Sequence, residues 1–65
     1  MKILLDKIMY DKNLSIRQLS IITGIPKSTI SDIASGRTMP RIDTLEIIAK
    51  GLKARISDLY ESDYK

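Results

Sequence analysis

The chain of 65 residues contains neither cysteine nor histidine. Without cysteine there is no disulfide scaffold and no thiolate metal site, a composition consistent with a reducing cytosol. Without histidine the commonest metal ligand and the usual general base are both gone. Serines are plentiful, yet no imidazole can activate one. A lysine base would need a deep pocket, and a chain of this size buries only about 60% of its unfolded surface. These absences predict a protein that is not an enzyme, holds no metal or cofactor and takes no small-molecule ligand. Long apolar runs are missing as well. The opening stretch MKILLDKIMY is interrupted by Lys2, Asp6 and Lys7, whereas a membrane span needs about 20 mainly apolar residues. The same charges break the apolar core of a signal peptide. No membrane association is expected, and a cytoplasmic location is. No repeat, low-complexity tract or linker divides the chain, so residues 1–65 are expected to form one domain. Regulation is then expected from protein level, oligomerisation or a partner.

What is present is an uneven charge distribution. The formal net charge is +3, too mild by itself to identify a partner. Between Lys12 and Arg41, however, Lys12, Arg17, Lys27, Arg37 and Arg41 face Asp32 alone, a local net charge of +4. Residues 1–11 are neutral and residues 42–65 carry −1. A nucleic-acid face requires such a concentration; ordinary solubility charge gives the same count.

The apolar pattern predicts five short helices and no strand. Leu4, Leu5, Ile8 and Met9 sit at helical spacing. Ser15 with Gln18 three residues later reads as a capping box for a second helix over 16–23, with Leu19 and Ile22 on its inner face. Gly24 can take the positive φ that ends a helix, and Pro26 pre-sets the start of a third helix over 27–35. Gly36 stops that helix. After the connection RTMPR, Asp43 favours a new N-terminal turn, and Leu45, Ile48, Ala49 and Leu52 form a buried stripe. A last short helix carries Ile56, Leu59 and Tyr60. Helices this short must be held by mutual packing, so the expected fold is a compact all-α bundle of five helices.

The third helix, KSTISDIAS, carries the functional signal. Advancing about 100° per residue, Lys27, Ser31, Ser35, Ser28 and Asp32 follow one another, in that order, around one side of the helix. Ile33 and Ile30 land on the opposite side, and Thr29 falls between Asp32 and Ile33, turned partly inward. The outer face is therefore small and polar. A normal amphipathic helix with a wet face fits this pattern, but three features favour a helix that enters a groove. Two helices and a glycine-containing turn within residues 16–35 make a helix-turn-helix arrangement. Lys27 stands at the N-terminal end, where residues reach base edges and the dipole suits phosphate. Arg37 and Arg41 follow just beyond Gly36, where guanidinium groups can hold a phosphate strand.

At these residues the sequence resembles the Cro/repressor-type (XRE-like) helix-turn-helix family, with a lambda-repressor-like DNA-binding domain. The resemblance runs through SIRQLSIITGIPKSTISDIASGRTMP and TLEIIAKGLKARISDLYE, nearly the whole chain. Ser20, Gly24, Ile25, Ile30, Ile33, Gly36 and Pro40 occupy family positions, as do Leu45, Ala49, Leu52, Ile56 and Leu59. The family places the second motif helix in the DNA major groove and the first across the backbone. That implies Lys27, Ser28, Ser31 and Asp32 as base-facing residues. It implies Ser15, Ile16, Arg17, Thr29, Gly36, Arg37 and Arg41 as backbone contacts. Three positions depart from the usual pattern without threatening the fold: Ser20 replaces a common alanine, Ala34 a frequent glutamate, and Lys53 a common glycine. Asp32 stands where a long polar or basic side chain is common; its carboxylate either accepts from cytosine N4 or pairs with a cation of the protein.

The function these readings imply is sequence-specific binding of double-stranded DNA by a transcriptional regulator, a repressor of prokaryotic or phage type. A homodimer would read two half-sites about one helical turn apart. The alternative is a protein-binding module of the same fold, such as an antitoxin or accessory protein acting through a protein partner. Its patch would include Tyr60 and Tyr64, near Ile56 and Leu59, which otherwise belong to the core.

Overall fold

The computed structural model describes residues 1–65. It contains four α-helices, α1 (Leu5–Asp11), α2 (Ile16–Thr23), α3 (Lys27–Ser35) and α4 (Ile42–Leu52), framed by strands β1 (Lys2–Ile3) and β2 (Tyr60–Glu61). The expected fifth helix is instead a single 3-10 turn over Ile56–Leu59, and the expectation of no strand is also corrected. Arg55 and Tyr60 are both extended, which confines the turn to four residues. Its entry is tied by the Asp58 carboxylate, which accepts from the Arg55 amide at 3.1 Å. Beyond it β2 pairs antiparallel with β1, Tyr60 opposite Ile3 and Glu61 opposite Lys2. The Leu4 amide donates to the Leu59 carbonyl at 2.8 Å in the same clasp. Strands of two residues have no periodicity for a sequence to display.

The helix ends follow from local chemistry. The Ser15–Gln18 capping box is closed in both directions: the Gln18 amide donates to Ser15 Oγ at 3.1 Å and the Ser15 amide to Gln18 Oε1 at 2.8 Å. Helix α2 ends at Gly24 (φ +76°) and α3 at Gly36 (φ +83°), left-handed positions that glycine adopts without a β-carbon clash. Pro26 stands just outside α3, in extended conformation. The hydroxyl of Ser20, an extra polar group beside the motif turn, is satisfied by donating to the Ile25 carbonyl at 2.6 Å.

Ten residues form the core, all apolar: Leu5 and Met9 of α1, Leu19 of α2, Ile30 and Ile33 of α3, the Leu45–Ile48–Ala49–Leu52 stripe of α4, and Leu59. Each large side chain buried here contributes about 1.5–3 kcal/mol. Ile56 packs half-buried at the edge. One expected core residue is displaced: Ile22 is 51% exposed. Leu19, Ile16 and Thr23 set the inward direction of α2, and Ile22 falls beside that direction, along the seam with α4. Gly51 makes that seam close. A β-carbon there would lie 2.9 Å from Thr23 Cγ2 and 3.0 Å from Ile22 Cγ2.

Candidate nucleic-acid interface

Helix α3 is anchored by Ile30 and Ile33, both buried. That anchoring turns Lys27, Ser28 and Ser31 into solvent, with Thr29, expected to lie partly inward, exposed as well. The helix has no side-chain cap. Pro26 supplies no N–H, and the first backbone bond runs from the Ile30 amide to the Pro26 carbonyl. The amides of Lys27, Ser28 and Thr29 therefore remain as orphan donors beside a lysine, an arrangement suited to an anion. Helix α2 differs, because its first turn is closed by Ser15 and Gln18. There the Ser15 amide is already used, and the donors left over are the amides of Ile16 and Arg17 and the hydroxyl proton of Ser15.

At the far end of α3 the amides turn inward. Gly36 donates to the Ile33 carbonyl, and Arg37 and Thr38 both donate to the Asp32 carbonyl. What this end offers outward is the guanidinium of Arg37. The Asp32 carboxylate, 40% exposed, lies 3.8 Å from Arg37 Nη1. Of the two roles left open by the sequence, pairing with a cation of the protein is the one seen here, with Asp32 facing Arg37. Arg41 is exposed but oriented by Asp43, whose carboxylate lies 3.2 Å from its Nη2 in the first turn of α4. Lys27 and Arg17 take part in neither ion pair, and the remaining pair joins Lys65 to Glu61.

The two tyrosines of the suggested partner patch separate. Tyr60 is half-buried in β2, with the Lys65 ammonium 5.6 Å from its ring centre, while Tyr64 is almost fully exposed. No group of acidic, histidine or cysteine side chains is placed to hold a metal ion, and no helix is long and apolar enough to cross a membrane. Two features escaped the sequence. The intimate α2–α4 seam rests on Gly51, which lies within α4 but outside its apolar stripe. The left-handed backbone of Lys53 (φ +55°) had one signal, the family's usual glycine at that position.

The molecule thus holds a helix–glycine turn–helix unit whose second helix is uncapped and presents Lys27 and a polar face to solvent. The sequence model of the Cro/C1-type HTH DNA-binding domain matches residues 4–63. This chain belongs to that family. The match extends beyond α2 and α3 to α1, α4, the 3-10 turn and β2, so it covers the scaffold as well. No curated protein matches the chain. In this Cro/C1-type domain α2 and α3 are joined by the glycine turn, which the Ser20–Ile25 hydrogen bond fastens.

Proposed function

We propose that this Cro/C1-type domain is a sequence-specific regulator of transcription, a repressor that seats α3 in the major groove of an operator and blocks or alters polymerase recruitment. The observation that carries the reading is the N-terminal turn of α3. Three unpaired amides, Lys27 and the short side chains of Ser28 and Ser31 share one exposed surface with nothing bulky to hold a duplex away. Lys27 reads guanine or steadies phosphate, Ser28 and Ser31 meet base edges, and Asp32 lies at the end of that face. Ile16 and Arg17 would present amides and a guanidinium to one phosphate strand, with Ser15 adding its hydroxyl. Thr29, Arg37 and Arg41 would serve the other, and Gly36 gives close backbone approach without an amide to donate. One such helix gives limited affinity, so two copies on a palindrome are the working assembly.

Selection of binding sites from a random duplex pool at two salt concentrations tests this. An enriched palindrome with half-sites about 10 base pairs apart is expected. Uniform weak binding that vanishes at moderate salt would leave only a cationic surface and overturn the regulator reading.

A further inference from the structure

At the C-terminal end of α2, Ile22 and Ile47 stand exposed at 51% and 46% and wall one shallow groove of about 550 Å³. Its floor is Gly51, where the absent β-carbon lets α2 and α4 close together. Thr23, Lys50 and Lys53 complete the lining, and no carboxylate enters it. The rim is therefore cationic around an aliphatic slot. Lys53 carries a second signal. Its backbone is left-handed (φ +55°, ψ +42°) at the end of α4, where a β-carbon crowds the following carbonyl and glycine fits without strain. Lys50 already places a cation in the last turn, so the helix dipole alone does not call for a second one. Strain held at an exposed residue points to a use for its side chain.

We propose that this groove docks an amphipathic helix of a partner protein, its apolar stripe between Ile22 and Ile47 and its acidic flanks on Lys50 and Lys53. This is helix-in-groove recognition with charge complementarity at the rim. A second copy fits poorly: a two-fold contact through this face brings Lys50 and Lys53 of both copies into one interface with no carboxylate in its lining to offset them. The chain's own C-terminal segment is held elsewhere, with Glu61 of β2 paired opposite Lys2 of β1. Ile22 lies about 9 Å along the α2 axis from Ile16, so the groove and the start of α2 occupy opposite ends of one helix. The inference does not depend on the operator reading.

Two synthetic helical peptides with the same leucine stripe at i, i+3, i+4 and i+7 test it, one flanked by glutamates and one by lysines. Amide NMR shifts of the full chain report the binding site. The glutamate peptide is expected to move Ile22, Ile47 and Gly51 and to bind at least tenfold tighter than the lysine peptide. Lys50→Glu combined with Lys53→Glu should reverse that preference. Lys53→Gly should raise the thermal midpoint yet weaken the glutamate peptide several-fold, which separates docking from folding. Equal binding of the two peptides, shifts located elsewhere, or undiminished binding by Lys53→Gly would overturn the proposal. Self-association abolished by Ile47→Asp would give the groove to a second copy. A flatter salt dependence of duplex binding in the double lysine variant would give the rim to DNA. Either result also overturns the proposal, while the site selection above reports on the operator reading separately.

Discussion

Lys27 and Asp32 stand on the same exposed side of α3, and their charges oppose one another in any encounter with phosphate. Lys27 has no internal partner among the ion pairs, so its removal leaves no orphaned carboxylate behind. Lys27→Ala is expected to cost about 1–3 kcal/mol on the selected operator and to relax preference at one base position. An equal loss on every sequence, measured by competition with mutated operators, would reassign it to phosphate. Asp32 behaves differently because it has Arg37 at 3.8 Å. That pair is exposed and worth about 0–1 kcal/mol, so it opens readily when a duplex arrives. If the carboxylate mainly opposes phosphate and occupies Arg37, Asp32→Asn should tighten binding to random duplex. The slope of log affinity against log salt should then steepen by about 0.9. Loss of discrimination at one base pair with an unchanged slope would show that the carboxylate reads a base.

Between elements the decisive contact is the α2–α4 seam. Gly51→Ala gains about 1 kcal/mol of helix propensity in α4 but drives a methyl to 2.9 Å from Thr23 Cγ2. Thr23 cannot easily yield, because its hydroxyl donates to the Leu19 carbonyl at 2.7 Å and accepts from the Ile25 amide at 3.2 Å. Overpacking of this kind costs about 1–3 kcal/mol. A net loss of about 1 kcal/mol is expected, a fall in thermal midpoint of about 4–8 °C; a more stable variant would mean that Thr23 and Ile22 do give way. The same seam shows what a sequence can and cannot display. Helices α2 and α3 were legible to the residue because each boundary has its own chemistry: Ser15 with Gln18, Gly24, Pro26 and Gly36. The outward face of α3 was legible because two buried isoleucines fix its rotation. Ile22 was not, since a residue at the flank of a helix is covered or bared by how closely its neighbour packs, and Gly51 sets that distance from another element. The 3-10 turn and the β1–β2 clasp were hidden for a related reason. Two-residue strands exist only through their pairing partner, and for Lys2 that partner is Glu61, near the opposite end of the chain. For the candidate interface, residue identities were legible, whereas the Asp32–Arg37 and Arg41–Asp43 pairings depend on side-chain geometry across turns.

At the scale of the whole molecule, β1 and β2 bring the two ends of the chain together and close a body of 31 × 22 × 20 Å. Each cation between Lys12 and Arg41 acts over a Debye length of about 8 Å at physiological salt, short against a longest dimension of 31 Å. A duplex therefore meets the local field of those cations that lie near its phosphates. Arg41 tests whether that field includes the α3–α4 connection. Its guanidinium is drawn 3.2 Å from the Asp43 carboxylate, but the pair is exposed, and phosphate competes with a carboxylate for the same bidentate donor. If Arg41 lies in the footprint, Arg41→Ala lowers affinity for all duplexes alike and flattens the salt slope by about 0.9. Asp43→Ala should do the reverse, because it frees the guanidinium and removes a negative charge from the same field. Salt titrations of both variants on one duplex, in parallel with the parent chain, decide the matter. Opposite displacements of the two slopes place the connection against the phosphate strand. Coincident slopes for all three proteins would confine the footprint to α2 and α3 and make the Arg41–Asp43 pair a feature of the α4 N-terminus alone.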